Sequence, residues 1–407
     1  MRRTTEGWLG ALVAGACWCA SSAALAQPIP PCDSLPNVVY GSGGSAQKPF
    51  VAKIARVLAG LATPTTVVYQ SAGGACQGIY NLLDDNDATP PLTGNQPYWL
   101  PDGTERQCSA PITGARTTFA LMGNTTAACS GVTPADVATL SDSLGPVGTV
   151  NFLVPNASSQ QSISAEALYF VYGFGGVAGQ VEPWTLDSAI GTRNANSFAA
   201  IFAALYAGVP IARLATTGTD VLTNSGTVTF LNNAAAAGNA ESAIAFASGE
   251  VADANRATVR TLALQSRDQT CAYWPDSSET AFDKVNVRDG HYELWASSHF
   301  YARASGGVIT HAPTRDLIGW ITGTVPAPPE LNVLDLTIAN RNVPQCAMRV
   351  ARVGDLGALM SYAPPEPCGC YFEAQATGAT TCTACTTDAE CAGTSSPVCR
   401  RGYCEVR

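Results

Sequence analysis

The chain has 407 residues, of which 46% are hydrophobic and 13% charged, and its formal net charge is −9. That balance fills large cores and excludes intrinsic disorder. An acidic chain whose lysines are Lys48, Lys53 and Lys284 alone also lacks the cationic footprint needed to coat nucleic-acid phosphates. The histidines, His291, His299 and His311, have none of the i, i+4 spacing of a helical zinc site.

Residues 1–26 read as a secretory signal. Arg2 and Arg3 precede an apolar run from Trp8 to Cys17, and Ala24-Leu25-Ala26 is a small-x-small cleavage site before Gln27. The alternative is a lipoprotein leader ending at Cys17, with Ala14 where such leaders usually carry Leu. Phe198–Ala212 is the most apolar later stretch, but it is short for a bilayer span and contains Gly208 and Pro210. The expectation is a soluble mature chain, periplasmic or secreted.

The body, residues 27–363, alternates strands with helices. Asn37–Tyr40 reads as a strand and Gly41-Ser42-Gly43-Gly44-Ser45 as a turn. A helix with Phe50, Ile54, Val57, Leu58 and Leu61 on one face then runs to about Gly60. Thr66–Tyr69 is the next strand, Ser71-Ala72-Gly73-Gly74 the next turn, and Ile79, Leu82 and Leu83 mark another helix. Strand, glycine turn and helix, twice over, point to a parallel sheet with crossover helices. The polar, Pro-containing stretch from Gly94 to Arg106 reads as a long surface loop. The pattern resumes with a strand at Val150–Val154, a helix opened by Ser164, a helix at Ser197–Tyr206 and a buried strand at Ala243–Phe246.

Export makes the disulfide the default state of cysteine. Beyond the leader the cysteines are odd in number, so one is expected to stay free or to pair between chains. Cys32, Cys76, Cys108, Cys129, Cys271 and Cys346 are spread through the body, whereas Cys368, Cys370, Cys382, Cys385, Cys391, Cys399 and Cys404 crowd the end. The tail has too few apolar residues to fold on burial and needs covalent staples. Zinc on thiolates is the competing reading of Cys382-Thr-Ala-Cys385, but a second such pair is missing. Pro364-Pro365-Glu366-Pro367 reads as a stiff linker before the tail.

A Gly/Ser turn between a strand's end and a helix start aims backbone N–H groups outward, and the helix dipole adds partial positive charge there. Two such turns in consecutive units lie side by side at the carboxyl edge of a parallel sheet, where ligands bind. Ser45-Ala-Gln-Lys48 matches the Ser-x-x-Lys nucleophile motif, yet no Lys-Thr-Gly accompanies it, since Lys53 precedes Ile and Lys284 precedes Val. Neither a Gly-x-Ser-x-Gly elbow, nor a complete dinucleotide fingerprint, nor a Walker lysine is present. His291 and His299, with Trp295 nearby, read as packing between domains.

Val38–Ser45 and Val67–Gly74 together resemble the substrate-binding proteins of phosphate ABC importers. Arg193-Asn-Ala-Asn-Ser197 is similar to that family's Arg-x-x-x-Ser-Gly-Thr, and Ser242–Phe246 followed by Ala252–Arg256 to its Gly-Ala-Ile-Gly-Tyr strand and helix. The resemblance covers about residues 36–325. It implies a type II periplasmic-binding fold with mixed, mostly parallel sheets, its two α/β lobes joined by a two-strand hinge with the ligand in the cleft. It further implies binding through Ser42, Gly43, Gly44 and Ser45 of the first turn, Ser71, Gly73 and Gly74 of the second, and Arg193 and Ser197 of the second lobe. Phe198 and Ala199 replace Gly-Thr of the motif, and Ala120–Asn124 lacks the acid that accepts a phosphate proton in the family, so weak discrimination against sulfate is expected.

The expected organisation is a signal at 1–26, lobe I at 27–150 with a return segment at 292–362, lobe II at 151–291, and a linker and Cys-rich tail at 363–407. The expected function is non-enzymatic capture of a small phosphate-like oxyanion, with no cofactor or metal and with an ABC permease as a partner. The alternative is a cell-surface interaction protein that has lost or changed its ligand, its tail docking a surface partner.

Overall fold

The computed structural model describes residues 28–84, 91–123, 126, 129, 131–175, 183, 184, 208, 224–355 and 357–405. Strand β1 (Val39–Gly43) leads through a 3₁₀ turn to helix α1 (Lys48–Ala59). Phe50, Val51, Ile54, Ala55 and Leu58 recur on one face of α1 and are buried, which makes it an amphipathic core helix. Pro49 sits in its first turn, where a missing N–H costs no hydrogen bond. Strand β2 (Val67–Gln70) and helix α2 (Gly74–Leu83) repeat the unit.

The segment from Gly94, expected to be a loop, is instead the hairpin of β3 (Asn95–Trp99) and β4 (Glu105–Ser109), paired from Asn95↔Ser109 to Trp99↔Glu105. It closes one edge of the sheet with β4 outermost, and β3 pairs with β2 only at Val68↔Tyr98, so Pro97 interrupts little of the ladder on that side. Then follow β5 (Phe119–Met122), α3 (Pro134–Val137), the long β6 (Leu140–Pro155), β7 (Ser162–Ser164) and α4 (Ala165–Phe174). Ser164 caps α4 as expected, its hydroxyl accepting from the Ala167 N–H at 3.1 Å. Helix α5 (Asn224–Ala236), β8 (Ala245–Ser248), α6 (Gly249–Ala254), β9 (Val259–Thr261), β10 (Ala263–Gln265) and α7 (Val285–Arg288) come next. The chain continues through β11 (Trp295–Ser305), β12 (Val308–Ile309), α8 (Ala312–Thr322), α9 (Val333–Ala339), β13 (Val350–Arg352), β14 (Leu359–Ser361), α10 (Gly369–Thr377), β15 (Val398–Arg400) and β16 (Tyr403–Glu405).

One sheet runs in the order β4-β3-β2-β1-β5-β11-β6-β8, with β12 on β11 and β9 on β6. It is mixed. Its parallel part is the block β2-β1-β5, which carries both glycine turns, and its other pairings are antiparallel. β7 and β10 pair in parallel apart from it.

β6 and β11 run side by side from Trp295↔Thr149 to Arg303↔Leu140 and connect two cores. On one side Val39, Phe50, Ile54, Tyr69, Phe119, Phe300 and Leu317 pack together. On the other, Phe152, Leu168, Tyr172, Phe246, Leu264 and Trp295 do so. Ile338, Val343, Ala347 and Met348 join this second core, although they lie in the segment expected to return to lobe I. So do Cys368 and Phe372 from the start of the tail, so Pro364–Pro367 is no free spacer here.

Among the described residues six disulfides form: Cys32–Cys108, Cys76–Cys129, Cys346–Cys368, Cys370–Cys382, Cys385–Cys399 and Cys391–Cys404. Cys271 is free and exposed. Cys385, Cys391 and Cys399 lie close enough to suggest a metal site, but their sulfurs are taken up in two of these bridges.

Candidate functional site at the two glycine turns

The parallel block brings the two turns together at its carboxyl edge. Gly43 ends β1 against β5, and a Cβ there would stand 2.1 Å from the Leu121 carbonyl oxygen. Gly78 of α2 does the same from above, since its Cβ would meet the Ser42 carbonyl at 2.7 Å. Glycine at both positions therefore lets α2 and β5 close on the first turn. The second turn needs glycine for a different reason. Gly73 and Gly74 have φ of 86° and 81°, and Gly73 is the N-cap of α2.

The nine expected ligand residues divide into groups. Ser42 is fully buried, and its hydroxyl accepts from Asn81 Nδ2 at 3.0 Å. Asn81 also donates to Gln70 Oε1 at 3.1 Å and accepts from Gln77 Nε2 at 2.8 Å. The Gly44 N–H donates to the Leu121 carbonyl at 3.1 Å, and the Gly44 carbonyl accepts from the Tyr69 hydroxyl at 3.0 Å. Burial pushes the Tyr69 phenol far up, so it stays a donor. Ser42 and Gly44 thus brace the first turn. Ser45 is exposed at the start of the 3₁₀ turn, and Ser71, Gly73 and Gly74 lie at the partly open rim of the second turn. Arg193 and Ser197, with Phe198, Ala199 and the helix expected at Ser197–Tyr206, lie outside the described residues.

Neither α1 nor α2 has an acidic residue in its first turn, so nothing there opposes an anion at the positive helix ends. Lys48 ends the first turn, but its ammonium is turned away to Glu105 at 2.9 Å. That placement pairs the lysine of the Ser-x-x-Lys pattern with Glu105 and gives it a structural role. Ala120, Leu121 and Met122, where the phosphate-proton acceptor was missed, are fully buried in β5, and Asn124 lies outside the described residues.

Several polar residues around the site went unseen in the sequence. Gln47 ends the first turn and accepts from the Ser298 hydroxyl of β11 at 3.1 Å. His299, next along β11, lies opposite Met122 of β5. Its Nδ1 meets Asp142 Oδ1 at 2.8 Å, and its Nε2 faces Asp355 Oδ2 at 3.4 Å. Burial lowers its pKa, but the hydrogen bonds and charges of the two carboxylates outweigh that and raise it to about 9. The expected packing role of His299 thus becomes a charged one. No sequence spacing announces these contacts, because each joins residues more than fifty positions apart.

No protein-family model matches the chain, and no curated protein matches it either. Solved structures do. A candidate phosphate ABC transporter substrate-binding protein with bound phosphate from Clostridium perfringens aligns over 76% of this chain and 99% of its own, at TM-score 0.51 and 10% identity. An ABC-type phosphate transport receptor from Vibrio cholerae aligns over 76% and 100% at TM-score 0.46 and 14% identity. A human phosphate binding apolipoprotein aligns over 75% and 90% at TM-score 0.46 and 13% identity. The first of these establishes the fold class: a two-lobe α/β periplasmic-binding-protein fold, as the resemblance implied, with a disulfide-rich C-terminal addition.

Proposed function

We propose that the chain is an exported solute-binding protein that captures a small, phosphate-like oxyanion between its two lobes. One observation carries the reading: two glycine turns open two helices side by side at the carboxyl edge of the parallel block, with no acid in either first turn. Such a place offers backbone N–H groups and helix-dipole charge to an anion. Ser45, Ser71, Gly73 and Gly74 line the first-lobe side, held in shape by Ser42, Gly44 and Asn81. Arg193 and Ser197 supply the guanidinium and hydroxyl of the second-lobe side. The structural relative with bound phosphate supports this choice of ligand class. The activity is binding, and its partners are the anion and an ABC permease. The signal at 1–26 directs the chain out of the cytoplasm, and among the described residues no helix is long and apolar enough to cross a membrane.

Native mass spectrometry of the mature chain with phosphate, sulfate, arsenate and nitrate tests the reading. A one-to-one adduct with a tetrahedral oxyanion supports it, and no adduct with any of the four contradicts it. The second reading, a surface interaction protein on the same scaffold, draws on the internal pairing of Ser42 and Gly44 and takes over in the latter case.

A further inference from the structure

The ladder between β6 and β11 breaks at one point. Ser297 pairs with Val147 but His299 pairs with Leu144, so Gly145 and Pro146 together oppose Ser298. A bulge of this kind bends a strand and weakens pairing locally, and Pro146 has no N–H to lend to the ladder. Gly145 leaves room for the Phe300 ring, which a Cβ would approach to 2.6 Å. The first core lies on the His299 side of this break and the second on the Ser297 side. The two connecting strands therefore bend most readily here.

The hairpin β13–β14 spans the break. Its body belongs to the second core: Val350 and Leu359 pack against it, and the Arg352 guanidinium stacks over Trp295 at 4.7 Å. Its turn, at residues 353–355, reaches past the bulge and places Asp355 against His299 on the other side. His299 Nε2 and Asp355 Oδ2 are both buried and have no closer partner than each other at 3.4 Å. Asp142 holds the opposite ring nitrogen, the Tyr301 hydroxyl lies 3.4 Å from that nitrogen, and β5 offers only uncharged Met122 beside the ring. The imidazolium is thus clamped between a carboxylate from each side of the bulge.

We propose that residues 353–355 form a strap latched by Asp355 onto His299 across the bulge at Gly145–Pro146, and that this latch sets the angle between the lobes. Releasing it lets the two cores swing apart about the bulge. The Asp142–His299 pair cannot do this, because both residues lie on the same side of the break. The inference needs no ligand and stands whether or not the cleft binds an anion.

Small-angle scattering and amide exchange of the disulfide-intact, ligand-free chain test it. Asp355→Asn is expected to increase the radius of gyration and to speed exchange of amides at 145, 147–149 and 296–299 by roughly a hundredfold, the effect of breaking one buried ion pair. Asp142→Asn is expected to keep the wild-type radius. Asp355→Glu, which retains the charge, is expected to restore a compact chain, and this separates release of the latch from misfolding. An unchanged radius in Asp355→Asn, equal expansion in Asp142→Asn, or no rescue by Glu overturns the latch.

Discussion

Gln47 and Ser298, 251 positions apart, meet through a buried hydrogen bond of 3.1 Å from the Ser298 hydroxyl to Gln47 Oε1. This bond fastens the end of the first glycine turn to one of the two strands that connect the lobes. Ser298→Ala leaves a buried acceptor without its donor and is expected to cost about 1–3 kcal/mol in urea unfolding of the disulfide-intact chain. Gln47→Leu in addition removes the orphaned acceptor and is expected to recover part of that loss. Additive losses in the double variant would show that the two side chains do not depend on each other.

His299 makes stability depend on alkaline pH. Its folded pKa is raised to about 9, despite the opposing effect of burial, by Asp142 and Asp355, while an unfolded imidazole titrates near 6.5. A raised pKa means stabilisation that is fully present below about 6.5 and is lost as pH rises through about 9, roughly 2–4 kcal/mol in all. The unfolding midpoint of wild type should therefore approach that of His299→Gln between pH 6 and pH 10. A gap that stays constant over that range contradicts the charged assignment.

The last strand is fastened to the start of the tail, which itself packs on the second core. The buried Glu405 carboxylate accepts from the Cys370 N–H at 2.9 Å and the Tyr371 N–H at 3.1 Å, capping the start of α10, and Arg288 lies close beside Gly369 there. A carboxylate at a helix N-terminus makes charge-assisted bonds favoured by the dipole. Glu405→Gln is expected to lower stability by about 1–3 kcal/mol and to expose the tail to limited proteolysis before the body. Wild-type protease resistance would show that the disulfides alone hold it.

Thiol chemistry checks the cross-linking. Alkylation of the denatured, unreduced chain cut after Ala26 should label Cys271 and no other cysteine, since the remaining twelve are paired. Labelling of several tail cysteines, with zinc bound in stoichiometric amount, would reverse the choice between disulfide and metal.

The two βα units were legible because their signals are local: short β-branched runs, glycine turns, and apolar residues at helical spacing in α1 and α2. The connecting strands were not. Residues 140–149 contain serines, Gly145, Pro146 and Gly148, a poor strand by propensity, and they become β6 only by pairing with β11. β3 was hidden in the same way by Pro97, which is accommodated because β3 meets β2 only at Val68↔Tyr98. For the site, sequence pointed to the glycines that shape the turns but not to the groups that occupy their hydrogen bonds. Asn81, Gln47 and His299 are ordinary residues until the fold sets them beside Ser42, Ser298 and Asp355.

The central claim is anion capture between the lobes, and calorimetric titration of the mature chain with phosphate and with sulfate tests it most directly. The account predicts binding of both anions with little preference, because the sequence Ala120–Asn124 carries no acid to accept a phosphate proton. It also predicts weakening by roughly ten- to a hundredfold in Ser45→Ala, the loss of one charge-assisted hydrogen bond, and abolition in Arg193→Ala. No heat of binding with either anion, together with an Arg193→Ala variant that differs from wild type only in stability, would contradict it.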